Sequence, residues 1–362
     1  MLGVDRNAAR YVWTAAVVLL LLWLFYLLRT TLFVFVLAVL FAYLLSPLVN
    51  LLDRFLPSRT RAPALGLAYL IVLGLMVLLG TQIGARVVDQ ARALAKDMPE
   101  KIVRWEQPSR DLSPALNEFR AQLVDRMREQ LSGRSSELLS GLAQAGLKVI
   151  SVASNLIYVV IVPILAFFFL KDSRVIRQHI LDLADEGPRR ALVDGLMADV
   201  HLLLAQYMRA LVLLSLAAFT AYSIAFSVMG VPYGVLLAAI GGLLEFIPML
   251  GPLAAGALIV GVGMVSNSGA PADHAHVPVL AVLIFLLAYR LFQDYILSPN
   301  LMGQGVEVHP LLVLFGVFAG AELAGIPGTF LSVPVLALAR IVYVRIRRAR
   351  MASPQRAGPV VT

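Results

Sequence analysis

The sequence predicts an all-α polytopic membrane protein, and three observations lead to this prediction. Charged residues make up only 14% of the chain and apolar residues 60%, whereas soluble domains average about 25% and about 45–50%. The apolar residues are also gathered into long runs. So few charged residues cannot cover the water-facing surface of a soluble protein, and we therefore expect the apolar runs to lie in lipid.

Five apolar runs are long enough to be plain membrane spans. They cover residues 11–28, 30–49, 65–83, 150–170 and 210–229. Each holds 18 to 21 residues, close to the roughly 20 that cross a hydrocarbon core as a helix. The first run lacks the short apolar core and the small-residue cleavage site of a signal peptide, so we expect it to remain as an anchor.

Two polar stretches separate some of these runs. Residues 84–149 combine many charges with apolar side chains three and four residues apart, which predicts a small extramembrane helical insert. Residues 171–209 show the same pattern, interrupted at Gly187 and Pro188, and predict two cytoplasmic amphipathic helices. The expected parts are, in order, three N-terminal membrane segments (1–83), the insert (84–149) and a fourth membrane segment (150–170). The amphipathic helices (171–209), a C-terminal transport core (210–344) and an Arg-rich cytoplasmic tail (345–362) follow.

The distribution of Lys and Arg predicts the orientation of the chain. Most basic residues of the short loops lie before residue 11, at 50–64, at 171–209 and after residue 339, whereas the alternate short loops hold only Arg29. Basic residues in short loops stay on the cytoplasmic side, so we expect both termini in the cytoplasm. Topology, together with attraction to anionic lipid, accounts for the net charge of +8, and we expect no nucleic-acid partner.

The C-terminal third contains two segments of the same design. In residues 232–265, a proline is followed by an apolar arm that reaches Glu245, by a Pro/Gly interruption and by a second apolar arm. Residues 310–344 repeat this order around Glu322. Each first arm is too short to span a bilayer, and paired interrupted segments are typical of a transporter site. We predict two broken or re-entrant segments that meet near the membrane midplane, within a total of about eight membrane segments.

The interruptions also admit another interpretation, in which proline only kinks two long helices and glycine lets them pack closely. The glutamates favour a functional break, because an acidic side chain in lipid costs about 3 kcal/mol and is usually turned inward. We expect them to bind protons or cations, with Gly251, Pro252 and residues 325–328 supplying unwound backbone. The predicted substrate or ion pathway combines both breaks with three polar residues of an intervening span: Glu245, Pro248, Gly251, Pro252, Arg290, Gln293, Asp294, Glu322, Gly325, Pro327 and Gly328.

The intervening span, residues 277–297, becomes polar in its second half. Arg290 and Asp294 are four residues apart and can pair on one face of a helix. They are either an ion pair at the end of the helix or, with Gln293, part of the polar cavity that receives one of the glutamates.

Several kinds of chemistry are excluded or disfavoured. The chain has no cysteine, so it cannot form disulfides, thiolate metal sites or a cysteine nucleophile. It also lacks a phosphate-binding loop, a zinc-protease motif and a hydrolase nucleophile elbow. We expect no enzyme activity, no cofactor and no metal, and energy coupling through an ion gradient or the gradient of the substrate.

The sequence resembles the AI-2E family of autoinducer-2 exporter-like transporters, which are also described as PerM-like permeases. The resemblance is carried by EFIPMLGP at 245–252, by YILSPNLMG at 295–303, by HP at 309–310 and by AGAELAGIPGTFLSVP at 319–334. It implies a bacterial inner-membrane protein of about eight membrane segments that forms a homo-oligomer. Family members include exporters of the signalling molecule and sodium/proton antiporters.

The function that we expect is a secondary transporter or exporter of a small polar solute, such as an autoinducer-2-like signalling molecule or a metabolite. An Na⁺(Li⁺)/H⁺ antiporter is the alternative, in which the carboxylates bind the transported ions themselves. A membrane scaffold or receptor that works through the insert is a further hypothesis. The expected partners are therefore a small-molecule or ion substrate, the lipid bilayer and other copies of the chain.

Overall fold

The computed structural model describes eight parts of the chain: 6–56, 61–106, 118, 122, 156–184, 186–266, 279–302 and 309–352. All the regular elements in these parts are helices. Most of the predicted insert, the loop at 267–278 and the last ten residues of the predicted tail lie outside the described residues.

The described helices are numbered here in chain order. Their bounds are α1 (Arg6–Leu27), α2 (Arg29–Phe55), α3 (Ala62–Leu79), α4 (Ala85–Glu106), α5 (Leu156–Lys171), α6 (Ser173–Asp182), α7 (Pro188–Met229), α8 (Gly234–Leu244), α9 (Leu250–Ser266), α10 (Val279–Phe292), α11 (Ser298–Met302) and α12 (Pro310–Ala352). Two π-helical turns, Gly80–Gly84 and Gln293–Leu297, join α3 to α4 and α10 to α11.

Six stretches within the described residues are long and apolar enough to cross a membrane: Arg10–Leu27, Arg29–Phe55, Ala62–Met98, Pro188–Met229, Val279–Leu301 and Pro310–Arg348. Shorter apolar helices accompany them in α5, α8 and α9. The predicted all-α polytopic membrane fold is thereby confirmed.

The N-terminal helices form a bundle with its own apolar core. Leu45 of α2, Leu65 of α3 and Ala166 of α5 are buried in one cluster. Between α3 and α5, the Tyr69 hydroxyl donates a 2.7 Å hydrogen bond to the carbonyl of Pro163. The apolar residues of α1, by contrast, are exposed from Tyr11 to Leu27, as expected for a helix that faces lipid.

Helix α7 is the longest straight support of the C-terminal half. It begins with Pro188 after Gly187, whose φ is 109°, and ends at Gly230, whose φ is 68°. These ends match the predicted interruption at 187–188. One helix of 42 residues contains both the polar stretch that begins at Pro188 and the following span.

The first interrupted segment is a helical hairpin, here called hairpin 1: α8, a tip at residues 245–249, and α9. Its arms are antiparallel. A Cβ on Gly241 of α8 would lie 4.0 Å from Ile259 Cδ1 of α9, and a Cβ on Gly251 would collide with the Leu244 carbonyl. At 11 residues, α8 is about 16 Å long, half of the roughly 30 Å hydrocarbon core.

The second interrupted segment, α12, also reverses direction and is here called hairpin 2. Ala324 and Gly325 leave helical geometry, with φ of −144° and 64°. A Cβ on Gly316 would lie 2.6 Å from Leu336 Cδ1, although 20 residues of straight helix would separate these positions by about 30 Å. The kinked-helix interpretation is therefore wrong for both segments; glycine instead packs the two arms of hairpin 2 together.

The two hairpins extend along α7 from opposite ends. Near the Met229 end, Gly234 at the start of hairpin 1 lies against Phe226. Near the Pro188 end, Arg345 in the last arm of hairpin 2 pairs with Asp199. Where the hairpins meet, the rings of Phe246 and Phe330 are 6.0 Å apart.

Candidate functional site

Glu245 lies at the tip of hairpin 1 and is the centre of the candidate site. It is the C-terminal cap residue of α8 and only 7% exposed. A carboxylate next to a helix C-terminus faces the negative end of the helix dipole, and burial removes its hydration. This position is electrostatically unfavourable, which is common for functional groups and rare for structural ones.

The hydrogen-bond partner of Glu245 is Gln293, 48 residues further along the chain. Gln293 Nε2 donates to Glu245 Oε2 over 2.7 Å, and both side chains are buried. Within the described part of the chain, the side-chain oxygen Oε1 of Gln293 is buried without a hydrogen-bond partner. Since buried polar atoms are nearly always hydrogen-bonded, this oxygen is an acceptor available to a ligand.

A π-helical turn begins at Gln293 and extends to Leu297. Such turns insert one residue into a helix and occur most often at functional sites. The wider turn changes the face on which the following side chains lie. Here the turn begins at the residue whose side chain bonds to Glu245.

Arg290 and Asp294 form the ion pair that their spacing predicts. Arg290 Nε lies 2.8 Å from Asp294 Oδ2, with the side chains 37% and 45% exposed. Arg290 lies one helical turn before Gln293, and Asp294 follows Gln293 directly in the chain. The pair therefore lies at the rim of the Glu245–Gln293 site. It is an ion pair near the end of its helix and is also next to the polar site, so it has features of both alternatives that the spacing left open.

Two tyrosines that sequence reasoning missed complete the site. The rings of Tyr222 (α7) and Tyr289 (α10) are 5.1 Å apart, and no described residue forms a hydrogen bond with the buried Tyr289 hydroxyl. Tyr289 precedes Gln293 by four residues and thus shares its helix face. This four-residue spacing, in a span that otherwise contains few polar groups, was the sequence signal that could have identified Tyr289 as part of the site.

The backbone of the hairpin 1 tip is tightly turned. Met249 has a φ of 61°, rare for a residue with a side chain, and Leu250 N donates to the Pro248 carbonyl over 2.7 Å. Pro248 is in the non-helical tip as expected. Gly251 and Pro252 are not unwound, because α9 already begins at Leu250; Gly251 is required instead by the adjacent Leu244 carbonyl.

Hairpin 2 places its predicted residues differently. Gly325 forms the reversal, but Pro327 and Gly328 belong to the returning helix, where Gly328 packs against Gly320. Glu322 is exposed, and among the described residues no hydrogen bond or ion pair joins it to Glu245 or its neighbours. The structure thus brings together Glu245, Arg290, Gln293 and Asp294, and leaves Glu322 apart.

Metal ligands are not grouped in the described parts of the chain. There, no three His, Cys, Asp or Glu side chains lie close enough to hold a metal ion. The chemistry that the site offers is hydrogen bonding and proton or cation binding by a carboxylate.

Comparison with known families decides what class of protein carries this site. A family model described as AI-2E family transporter matches residues 15–348, and this range includes both hairpins. The chain belongs to the AI-2E transporter family. The resemblance noted from short motifs is thereby confirmed over nearly the whole length.

Relatives of this AI-2E family member occur in distant organisms. YueF of Bacillus subtilis is 25% identical over 315 residues, which cover 84% of this chain and 81% of the relative. MT0215 of Mycobacterium tuberculosis is 27% identical over 341 residues, 92% of this chain and 88% of the relative. PerM of Escherichia coli K12 is 23% identical over 310 residues, 84% of both chains. The first two are named as transport proteins and the third as a permease.

Family membership and the membrane fold together support a role in membrane transport. The Glu245–Gln293 pair is buried inside the helical bundle, at the tip of a half-length hairpin. Its substrate is a separate question.

Proposed function

We propose that the protein is a secondary transporter that exports a small polar solute, such as an autoinducer-2-like signalling molecule or a metabolite, across the bacterial inner membrane. The observation that carries this proposal is the buried hydrogen bond between Gln293 and Glu245 at the tip of hairpin 1. Both termini would lie in the cytoplasm, and several copies would assemble in the bilayer.

The length of hairpin 1 supports a site at membrane depth. Helix α8 begins beside Phe226, near the Met229 end of α7. Near the C-terminal end of α8, the Gly242 carbonyl accepts a hydrogen bond from Ser215 Oγ of α7. Because α8 is about 16 Å long, its tip reaches about the middle of a membrane of average thickness. Solute at Glu245 would therefore be about equally far from both surfaces, as alternating access requires.

The opposed hairpins support two alternate access routes. Hairpin 1 covers the site from the Met229 end of α7 and hairpin 2 from the Pro188 end, and they meet at Phe246 and Phe330. Movement of either hairpin alone would open the site to one side. The half-exposed Arg290–Asp294 pair would then act as a gate at its rim.

Proteoliposome flux of the Glu245→Gln variant tests the proposal. Gln has nearly the same shape and can still accept the hydrogen bond from Gln293, so we expect the variant to fold, with its melting temperature unchanged. Flux, measured first with autoinducer-2 and then across a panel of small polar metabolites, should fall to the level of empty liposomes. Glu186→Gln, which changes an exposed glutamate, is the matched control and should keep full flux.

The same preparations separate the exporter from an antiporter. If Glu245→Gln keeps solute flux but loses Na⁺-driven proton movement, then Glu245 binds the transported ions and the protein is an antiporter. If neither flux changes, Glu245 does not lie on the pathway and the proposal fails.

A further inference from the structure

Helix α4 packs along the base of hairpin 1, away from the Glu245 site. Met98 of α4 is buried in one cluster with Leu237 of α8 and Ile259 and Val262 of α9. Leu94 and Ile102 of α4 pack against the same cluster. One helix thus contacts both arms of the hairpin.

Polar side chains on the same face of α4 hold Tyr233, the residue just before α8. The Tyr233 hydroxyl donates to Asp97 Oδ2 over 2.8 Å and lies 3.3 Å from Lys101 Nζ, which is also 5.1 Å from the centre of the ring. Tyr233 has a φ of 58°, a conformation that costs a residue with a side chain about 1 kcal/mol or more. The contacts with α4 help to hold it there.

Gln90 of α4 supplies a cap to the first turn of α8. Gln90 Oε1 accepts a 2.8 Å hydrogen bond from the backbone N–H of Leu236, one of the N–H groups that a helix leaves unpaired at its start. Tyr233 is the formal cap residue of α8, but its own side chain makes no capping hydrogen bond. The cap of α8 therefore comes from another helix.

The two faces of α4 differ in a way that apolar packing alone does not require. Asp89, Arg92, Lys96 and Glu100 are exposed on its outer face. Gln90, Asp97 and Lys101 instead lie on the inner face, each with a hydrogen-bond partner in the base of hairpin 1. Three directional contacts specify one position of the hairpin, whereas an apolar surface would tolerate sliding.

We propose that Gln90, Asp97 and Lys101, here called the α4 clamp, hold hairpin 1 in its closed position and must release Tyr233 and α8 before the site opens on that side. The proposal rests on the transport function proposed above, because it assigns to the clamp the control of one access route. It gives α4, at the beginning of the predicted insert, a positioning role in transport. The residues of the clamp act through hairpin 1 and do not touch the substrate.

The position of hairpin 1 can be followed without measuring transport. Because the chain has no cysteine, Val262→Cys introduces a single thiol at a site that is 7% exposed and in the cluster with Met98. Maleimide should label it slowly in the otherwise unchanged chain. Adding Asp97→Ala should raise the labelling rate about fivefold, the change that one hydrogen bond of typical strength produces in an equilibrium.

Helix α4 offers its own matched controls. Asp89→Ala and Lys96→Gln change exposed residues of the outer face and should leave the labelling rate unchanged, whereas Lys101→Gln should raise it. Asp97→Ala combined with Tyr233→Phe should label no faster than Tyr233→Phe alone, because the hydroxyl that bonds to Asp97 is already absent. Equal rates for Asp97→Ala and Asp89→Ala would overturn the proposal.

A reversible cross-link tests whether release is needed for transport. In the Lys101→Cys, Tyr233→Cys chain, a bifunctional methanethiosulfonate reagent should join α4 to hairpin 1 and stop autoinducer-2 flux, and a reductant should restore it. Flux that continues through the cross-linked protein would show that no release is needed. If the clamp variants change the labelling rate as expected but the chain carries no solute flux, the transport function is refuted and the clamp is still supported.

Discussion

At the scale of single residues, the site is defined by polar atoms that hydrogen bonding within the protein leaves unsatisfied. Gln293 uses its amide nitrogen to hold Glu245, whereas its oxygen and the Tyr289 hydroxyl have no partner among the residues that the structure describes. An unpaired buried polar atom costs about 1–3 kcal/mol. Two such atoms on one helix face, near a buried carboxylate, are more economically explained by a ligand than by folding.

Tyr289→Phe separates these explanations. The lost hydroxyl has no partner, so the melting temperature should not fall. Flux should fall about tenfold if the hydroxyl binds the solute, which corresponds to one hydrogen bond of about 1.4 kcal/mol.

The control for this variant is Tyr207→Phe. The Tyr207 hydroxyl is likewise buried without a partner, but it lies in the separate cluster with Leu40 and Val333. It should change neither stability nor flux. Equal flux in both variants would argue against a role for Tyr289 in solute binding.

At the scale of elements, each hairpin depends on glycine where two backbones approach. Gly320 faces Gly328 across hairpin 2, and a Cβ on either would collide with the carbonyl of the other. In hairpin 1, Gly242 approaches α7 so closely that a Cβ would lie 3.0 Å from the Ser215 carbonyl oxygen. These glycines determine how closely the half-length helices pack.

Gly320→Ala should therefore destabilise the protein. Its methyl group would overlap the backbone of the other arm, and overpacking of this kind costs about 1–3 kcal/mol. The measurement is the melting temperature in detergent, compared with that of Gly256→Ala. Gly256 lies in helix α9 with open space around its Cβ position, so this variant should be neutral or slightly stabilised. Equal melting temperatures would show that the arms of hairpin 2 are not closely packed.

At the scale of the whole molecule, the hairpins are held at their bases by different helices. Hairpin 1 contacts the α4 clamp near the Met229 end of α7. Near the Pro188 end, Arg345 of hairpin 2 makes two hydrogen bonds of 2.6 and 2.8 Å to Asp199. This guanidinium also lies against Gly195, where a larger residue would displace it.

A double-mutant cycle on Arg345→Ala and Asp199→Ala should give a coupling energy of about 1 kcal/mol, since two-pronged Arg–carboxylate pairs are the stronger kind. The reference is the cycle on Arg177 and Asp194, which are joined by a single 2.6 Å contact and are 51% and 47% exposed. Exposed pairs contribute about 0.2–1 kcal/mol, so the reference should lie at the low end. A coupling energy no larger than the reference would mean that Arg345 does not anchor hairpin 2.

The sequence by itself determined the membrane class, the order of the spans and the position of both breaks. Each depends on short-range features: runs of about 20 apolar residues, or proline and glycine that interrupt a helix. Motif order identified the family for the same reason. The spacing of Arg290 and Asp294 also predicted their pairing, because helix geometry brings such residues together wherever the helix lies.

Only the tertiary structure decided which of two similar glutamates is buried. Glu245 and Glu322 occupy equivalent places in sequence, but in the described part of the chain Gln293 bonds only to Glu245. Gln293 lies 48 residues further along and is the first residue of a π-helical turn. It also showed that Gly251, Pro252, Pro327 and Gly328 are helical, since glycine and proline mark a tight approach or a first turn as readily as an unwound backbone. Burial depends on what packs against a residue, and that neighbour is set by contacts between distant segments which local sequence does not encode.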